Sequence, residues 1–408
     1  MLRGSWSKFT LTKVTSYLFV CILVLAPTQT YGAPTCTDFV ISVPATTSQH
    51  KSDLSNTGSA ALNVLVESTI SNVSAELGIV LGTVGSALGL GAGAYSMSLR
   101  YCDPEVHIPS RQNTIQYLQH AITMTKNYWS GLDYPNGYNG EQYSYIAYMS
   151  KQGYSTLSVD NLGSGNSTHP DPVFVVQMTL QVEIIHNIIV MLRSGKIPHP
   201  YLAGRTFDKV IYVGHSYGSI CGNAVATVHP KDVDTFVLTS YSIDFALGAV
   251  SLSLMIPAPA FLVSPRFSSL ESQPFYLAAA SRSGRQTALY RRLGGFDPAI
   301  VTFDFHHEGT VSLGEIATLL YGVGPAPAFT GNILVVTGKQ DAICCYSPLG
   351  SDCGVGSGSI PARAVANFPN AANFATMIPD MTGHAPFLHY SAQGQLSYIT
   401  SFLKGMGY

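Results

Sequence analysis

From Tyr95 to the C-terminus, short runs rich in β-branched and aromatic residues alternate with stretches whose apolar residues recur at helical spacing. Strands are expected at residues 96–101, 114–120, 154–160, 209–213, 235–240, 333–337 and 374–378, with helices at 142–152, 173–193, 219–228 and 396–403. That alternation constrains the chain severely. Neighbouring parallel strands need a crossover, the crossover is normally a helix, and helices on both faces bury the strands completely. The expected fold class is therefore α/β, a mostly parallel central sheet with helices on both faces.

The alternation breaks once. Residues 241–330 carry apolar helical runs, several prolines and the clustered Arg282, Arg285, Arg291 and Arg292. They read as a mainly helical cap inserted between two sheet strands. The run at 245–263 resembles a membrane span, but Pro257 and Pro259 favour buried or lid helices. The organisation is then a leader at 1–32, an arm at 33–93, a core in two parts at 94–240 and 331–408, and the cap between them. Within the arm, residues 62–94 read as a loose helix or packing arm, and no function is assigned to them. With 46% apolar and 11% charged residues the chain can bury a large core. A net charge of −2 leaves no basic surplus for phosphates, which argues against nucleic acid as a partner.

The leader has the pattern of a secretory signal peptide. Arg3, Lys8 and Lys13 precede an apolar run at 17–26, and Thr30, Tyr31 and Gly32 offer a cleavage site before Ala33. The run is shorter than the roughly 20 residues of a spanning helix, so no stable membrane anchor is expected. Six cysteines lie beyond it, an even number that suits disulfides in an exported chain. Cys36 with Cys102 would tie the arm to the core, and Cys353 would pair with Cys344 or Cys345. Cys221 pairs with the remaining one or stays a buried thiol. Asn72 and Asn166 stand in glycosylation sequons.

The chemistry centres on Gly214-His215-Ser216-Tyr217-Gly218. A G-x-S-x-G match is weak in a chain with 38 glycines. Its setting strengthens it, because the pentapeptide follows an apolar strand and opens a helix of small residues, as a nucleophile elbow does. A serine hydroxyl needs a base, and the base needs an orienting acid. In chain order after Ser216 come Asp341, just past the strand at 333–337, and His384, past the strand at 374–378. Both follow strand ends, where open α/β sheets place their sites. The expected oxyanion donors are the backbone N–H of Tyr217 and one in the loop after 114–120, at Ile122 beside Ala121.

Rivals exist for each partner. Asp244 follows the strand at 235–240 and is an alternative acid. Asp380 reads as a turn cap, and His389 is an alternative base or a packing histidine. His306-His307-Glu308 lacks the spacing of a zinc protease and reads as structural.

With these pieces placed, the chain resembles the α/β-hydrolase superfamily from about Tyr95 onward. It is similar in particular to secreted fungal serine esterases with a His-Gly-x motif, a following Tyr-Trp pair and a D-x-x-G-x-G-x-S loop. Here these are His120-Ala121-Ile122, Tyr128-Trp129 and the segment from Asp160 to Ser167. Ala121 replaces the family's glycine. The resemblance implies hydrolysis of a small-molecule carboxylic ester, partly apolar to suit the cap, through an acyl-enzyme on Ser216, with no metal and no organic cofactor. Serine at this position argues against epoxide hydrolases and haloalkane dehalogenases, which need a carboxylate nucleophile. A lactonase or metabolite-modifying hydrolase is the nearest alternative. A non-catalytic hydrolase-like binding protein is the alternative of another class.

Overall fold

The computed structural model describes residues 34–47, 91–244, 248–291, 293–345 and 352–408. The leader, the sequon at Asn72 and most of the arm lie outside the described residues. The strands are β1 (Thr35–Thr46), β2 (Ala92–Asp103), β3 (Thr114–Gln119), β4 (Ser155–Val159), β5 (Lys209–His215), β6 (Thr235–Thr239), β7 (Pro257–Pro259), β8 (Tyr276–Ala279), β9 (Val311–Ser312), β10 (Asn332–Val336) and β11 (Asn373–Met377). Eight of them form one sheet in the order β1-β2-β4-β3-β5-β6-β10-β11. β2 is antiparallel to both neighbours, and the pairs from β4 to β11 are parallel.

The principal helices are α1 (Tyr145–Lys151), α2 (Met178–Arg193), α3 (Tyr217–Val228), α4 (Pro298–His306), α5 (Leu313–Thr318) and α6 (Ala392–Gly405). Strand side chains alternate between faces. Val210 and Tyr212 of β5 accordingly join the core containing Ile184, Ile188 and Ile220 of α2 and α3. Ile211 and Val213 join the core containing Met149, Leu396 and Ile399 of α1 and α6. The sheet is thus covered on both faces, as the alternation in the sequence requires.

Two expectations are corrected. The arm contributes β1, a 12-residue edge strand paired with β2 from Thr35↔Asp103 to Thr46↔Ala92. Ile41, Val43 and Ala45 alternate onto its buried face, and Pro44 is tolerated because the strand lies at an edge. The helix expected from residue 173 starts at Met178, because the Asp171 carboxylate accepts the N–H groups of Val173 and Phe174 and forms a separate turn first. The cap is mainly helical, as expected. It also holds an antiparallel sheet of β7, β8 and β9.

Two disulfides are present. Cys36–Cys102 joins directly opposed residues of β1 and β2, and Cys345–Cys353 closes the loop after β10. Cys221 and Cys344 are buried free thiols. Asn166 is exposed. Among the described residues, no helix is long and apolar enough to cross a membrane.

Candidate active site

β5 ends at His215 and α3 begins at Tyr217, so Ser216 alone makes the turn, with φ 52° and ψ −111°. A non-glycine residue there is strained and must be held by its surroundings. The Ser216 N–H donates to the Thr239 carbonyl at 2.9 Å. The flanking glycines are sterically required. A Cβ on Gly214 would lie 2.5 Å from the Gly218 carbonyl oxygen, and one on Gly218 would lie 2.2 Å from that of Gln119. The close approach at Gly218 also presses the start of α3 onto the loop that follows β3.

Beneath the turn, His215 is fully buried and stacks on Tyr128 with centroids 4.5 Å apart. Burial holds its imidazole well below the ordinary histidine range, with His384 nearby acting in the same direction. Tyr128 packs edge-on against Trp129, which packs in turn on Tyr145. The Tyr-Trp pair is thus the floor of the turn rather than part of its opening.

The structure brings Ser216, His384 and Asp341 into one hydrogen-bonded chain. The Ser216 hydroxyl lies 2.7 Å from His384 Nε2, and His384 Nδ1 lies 2.8 and 2.9 Å from the two carboxylate oxygens of Asp341. A neutral His384 with its proton on Nδ1 donates to Asp341 and leaves Nε2 to accept from serine. Asp341 is fully buried. Burial opposes its ionisation, but His384 and the N–H groups of Cys344 and Ile343 outweigh this and hold the carboxyl below its usual range. The His384 carbonyl accepts from the Ser240 hydroxyl at 2.7 Å, which fixes the loop above β6.

The rivals fall elsewhere. Asp244 lies at the surface in an ion pair with Arg363 at 2.8 Å. Asp380 accepts the N–H of Met381 and caps its turn. His389 is fully buried just before α6. Its Nδ1 side faces the Ala385 carbonyl at 2.8 Å and its Nε2 accepts the Gly383 N–H at 3.0 Å, so it supports the turn carrying His384. Glu308 is buried against Arg285, and His307 stacks on Phe303.

Tyr217 opens α3, so its N–H has no acceptor within the helix. Ala121 and Ile122 follow β3 after His120 and are buried. This loop is held by His120. Burial pushes the His120 pKa down to about 4, so its ring is neutral at ordinary pH. Its Nδ1–H donates to the Ala121 carbonyl at 2.7 Å and its Nε2 accepts the Asn161 N–H at 2.9 Å.

The D-x-x-G-x-G-x-S segment surrounds a buried ion pair. Lys126 Nζ lies 2.8 Å from Asp160, whose carboxylate also accepts the N–H groups of Lys126 and Asn166. Gly165, at φ 56°, is needed because a Cβ would meet the Asp160 carboxylate carbon at 2.4 Å. The sequence pattern located this loop but not its partner. A lysine carries no mark of burial when its acid lies 34 residues away.

Cys344 was expected only as a disulfide alternative. Its Sγ lies 3.9 Å from His384 Nδ1, and its N–H donates to Asp341 at 2.8 Å. The neighbouring Cys345–Cys353 bridge closes the loop that carries the acid.

The strand order, the lone antiparallel β2, the serine turn between β5 and α3, and the insertion between β6 and β10 define the α/β-hydrolase fold. No protein-family model matches the chain, and no curated protein matches it. Solved structures that it resembles share little sequence with it. A putative hydrolase from Rickettsia typhi is 14% identical over 78% of this chain and 94% of that one, with a TM-score of 0.46. An alpha/beta hydrolase fold protein from Chitinophaga pinensis is 13% identical over 76% and 94%, with a TM-score of 0.45. The thioesterase domain of the curacin biosynthetic pathway is 15% identical over 76% and 97%, with a TM-score of 0.42.

Proposed function

We propose that this chain is an exported serine hydrolase that cleaves carboxylic esters through an acyl-enzyme on Ser216. The observation that carries the reading is the unbroken hydrogen-bond chain from the Ser216 hydroxyl through His384 to a buried, ionised Asp341. His384 Nε2 takes the hydroxyl proton as Oγ attacks the ester carbonyl carbon. The N–H groups of Tyr217 and Ile122 receive the charge that develops on the carbonyl oxygen. His384 returns its proton to the departing alkoxide, leaving an ester on Ser216. A water molecule, deprotonated by the same imidazole, then attacks the acyl carbon, and His384 returns that proton to Ser216 Oγ as the C–Oγ bond breaks and the acid leaves.

A hydroxyl nucleophile suits acyl transfer, whereas opening an epoxide through an ester intermediate requires a carboxylate at this position. The apolar cap favours a substrate with a hydrophobic acyl or alcohol part. Export is supported by the leader pattern together with the two disulfides.

The test is covalent labelling with a fluorophosphonate probe, alongside hydrolysis of a p-nitrophenyl ester series. Wild-type protein is expected to label and Ser216→Ala to lose labelling completely. Folded wild type that takes no label would overturn the reading.

A further inference from the structure

Thr123, the residue after Ile122, has φ 56°. A β-branched residue adopts that left-handed backbone only where its surroundings impose it. The insertion imposes it here. The Thr123 N–H donates to the Thr310 carbonyl at 3.2 Å, and the Thr123 carbonyl accepts the Gly309 N–H at 3.0 Å. The same carbonyl accepts from Arg285 Nη2 at 3.2 Å, and the Thr123 hydroxyl accepts from Arg285 Nη1 at 3.0 Å. Every polar group of Thr123 is therefore held by residues of the insertion.

Arg285 is itself fully buried. Its Nε and Nη2 donate to Asp304 at 2.8 and 2.7 Å, and its Nη1 also reaches Glu308 at 3.4 Å. All five guanidinium N–H groups thus find an acceptor, which a lysine ammonium at this place could not reproduce. Gly309 lets the insertion come this close, since a Cβ there would stand 2.2 Å from the Met124 carbonyl oxygen. A buried charge cluster is no surprise as a piece of stability. This one spends two of its five donors on the residue adjoining a candidate oxyanion donor.

We propose that Arg285 is a positioning residue that, with Asp304 and Glu308 behind it, clamps Thr123 and so holds the Ile122 N–H in place to receive the oxyanion. The proposal rests on the serine-hydrolase reading above and makes the insertion a structural part of the catalytic site. A donor shifted by about 1 Å can cost up to about 100-fold in rate, and a donor lost outright costs about 100- to 1000-fold.

The test compares wild type with Arg285→Lys and Thr123→Val for kcat and KM on a p-nitrophenyl ester. It also compares the inhibition constant of an alkylboronic acid, whose tetrahedral adduct with Ser216 places an oxygen where the oxyanion would sit. Arg285→Lys keeps a cation beside Asp304 but loses the fork. It is expected to lower kcat about ten- to hundredfold, leave KM within about twofold, and weaken the boronate by a factor matching the fall in kcat. Thr123→Val leaves the charge cluster whole and is expected to show the same matched losses at about fivefold, so it carries the test if Arg285→Lys does not fold. Folded variants with undiminished kcat, or with reduced kcat and unchanged boronate affinity, would overturn the clamp. Wild type that neither labels at Ser216 nor hydrolyses the ester would instead overturn the serine-hydrolase reading beneath it, before any variant is compared.

Discussion

At the scale of single residues, the site is decided by steric exclusion and by burial. Gly214 and Gly218 have no room for a methyl group, so Gly218→Ala is expected to leave little folded, active protein, read as soluble yield and fluorophosphonate labelling. The two candidate acids differ in their surroundings rather than in their chemistry. Asp341 is fully buried against His384, while Asp244 is paired at the surface with Arg363. Asp341→Asn is expected to lower kcat about 1000- to 10,000-fold, because an amide no longer holds the proton on Nδ1 of His384. Asp244→Asn is expected to change kcat less than about twofold and stability by under about 1 kcal/mol. Steady-state kinetics of the two variants checks both, and a larger loss from Asp244→Asn would move the acid to that position. The serine was legible in the sequence because the pentapeptide follows an apolar strand and opens a helix of small residues, not because of the pentapeptide alone. The sequence favoured Asp341 as the acid, with Asp244 as the rival, and only the structure shows Asp341 buried beside His384 and Asp244 paired at the surface.

At the scale of elements, α5 joins the insertion to the core. Ser312 and Glu315 form a reciprocal cap at its start, and Gln181 of α2 donates to the same carboxylate at 3.3 Å. Burial raises the Glu315 pKa to about 7, against the hydrogen bonds from Ser312 and Gln181. Between its ordinary value of 4.5 and about 7, the folded chain keeps a proton that the unfolded chain has lost. Stability should therefore fall as the pH rises through that window, by roughly 3 kcal/mol, and level off above it. Glu308, also raised to about 7 by burial, acts in the same direction. Glu315→Gln should remove only its own share of the slope, measured as urea midpoints at pH 5 and pH 8. An unchanged slope would show that Glu315 titrates normally. The edge strand β1 depends on its tie to β2, and replacing both Cys36 and Cys102 by serine is expected to cost about 2–4 kcal/mol in denaturant unfolding. The strand went unread because an edge position relaxes the rules that make interior strands conspicuous. It tolerates Pro44 and leaves Val40 on the surface.

For the whole molecule, the insertion and the core meet through hydrogen bonds from a buried cation, Arg285 to Thr123, as well as through apolar contact. Arg285→Met would strand Asp304 and Glu308 without their cation and is expected to cost about 3–5 kcal/mol, seen as a lower midpoint in chemical unfolding. The sequence by itself determined the layered α/β architecture, the place of the insertion and the strand–turn–helix setting of Ser216. Each follows from periodicity or from steric demands between residues close along the chain. The tertiary structure decided the rest: Asp341 rather than Asp244 beside His384, Cys345 rather than Cys344 as the partner of Cys353, Lys126 beneath Asp160, and Arg285 around Thr123. Those choices depend on which distant groups are buried together. Burial sets the cost of a charge and the direction of a pKa, and it exists only once the sheet and its insertion have closed on one another.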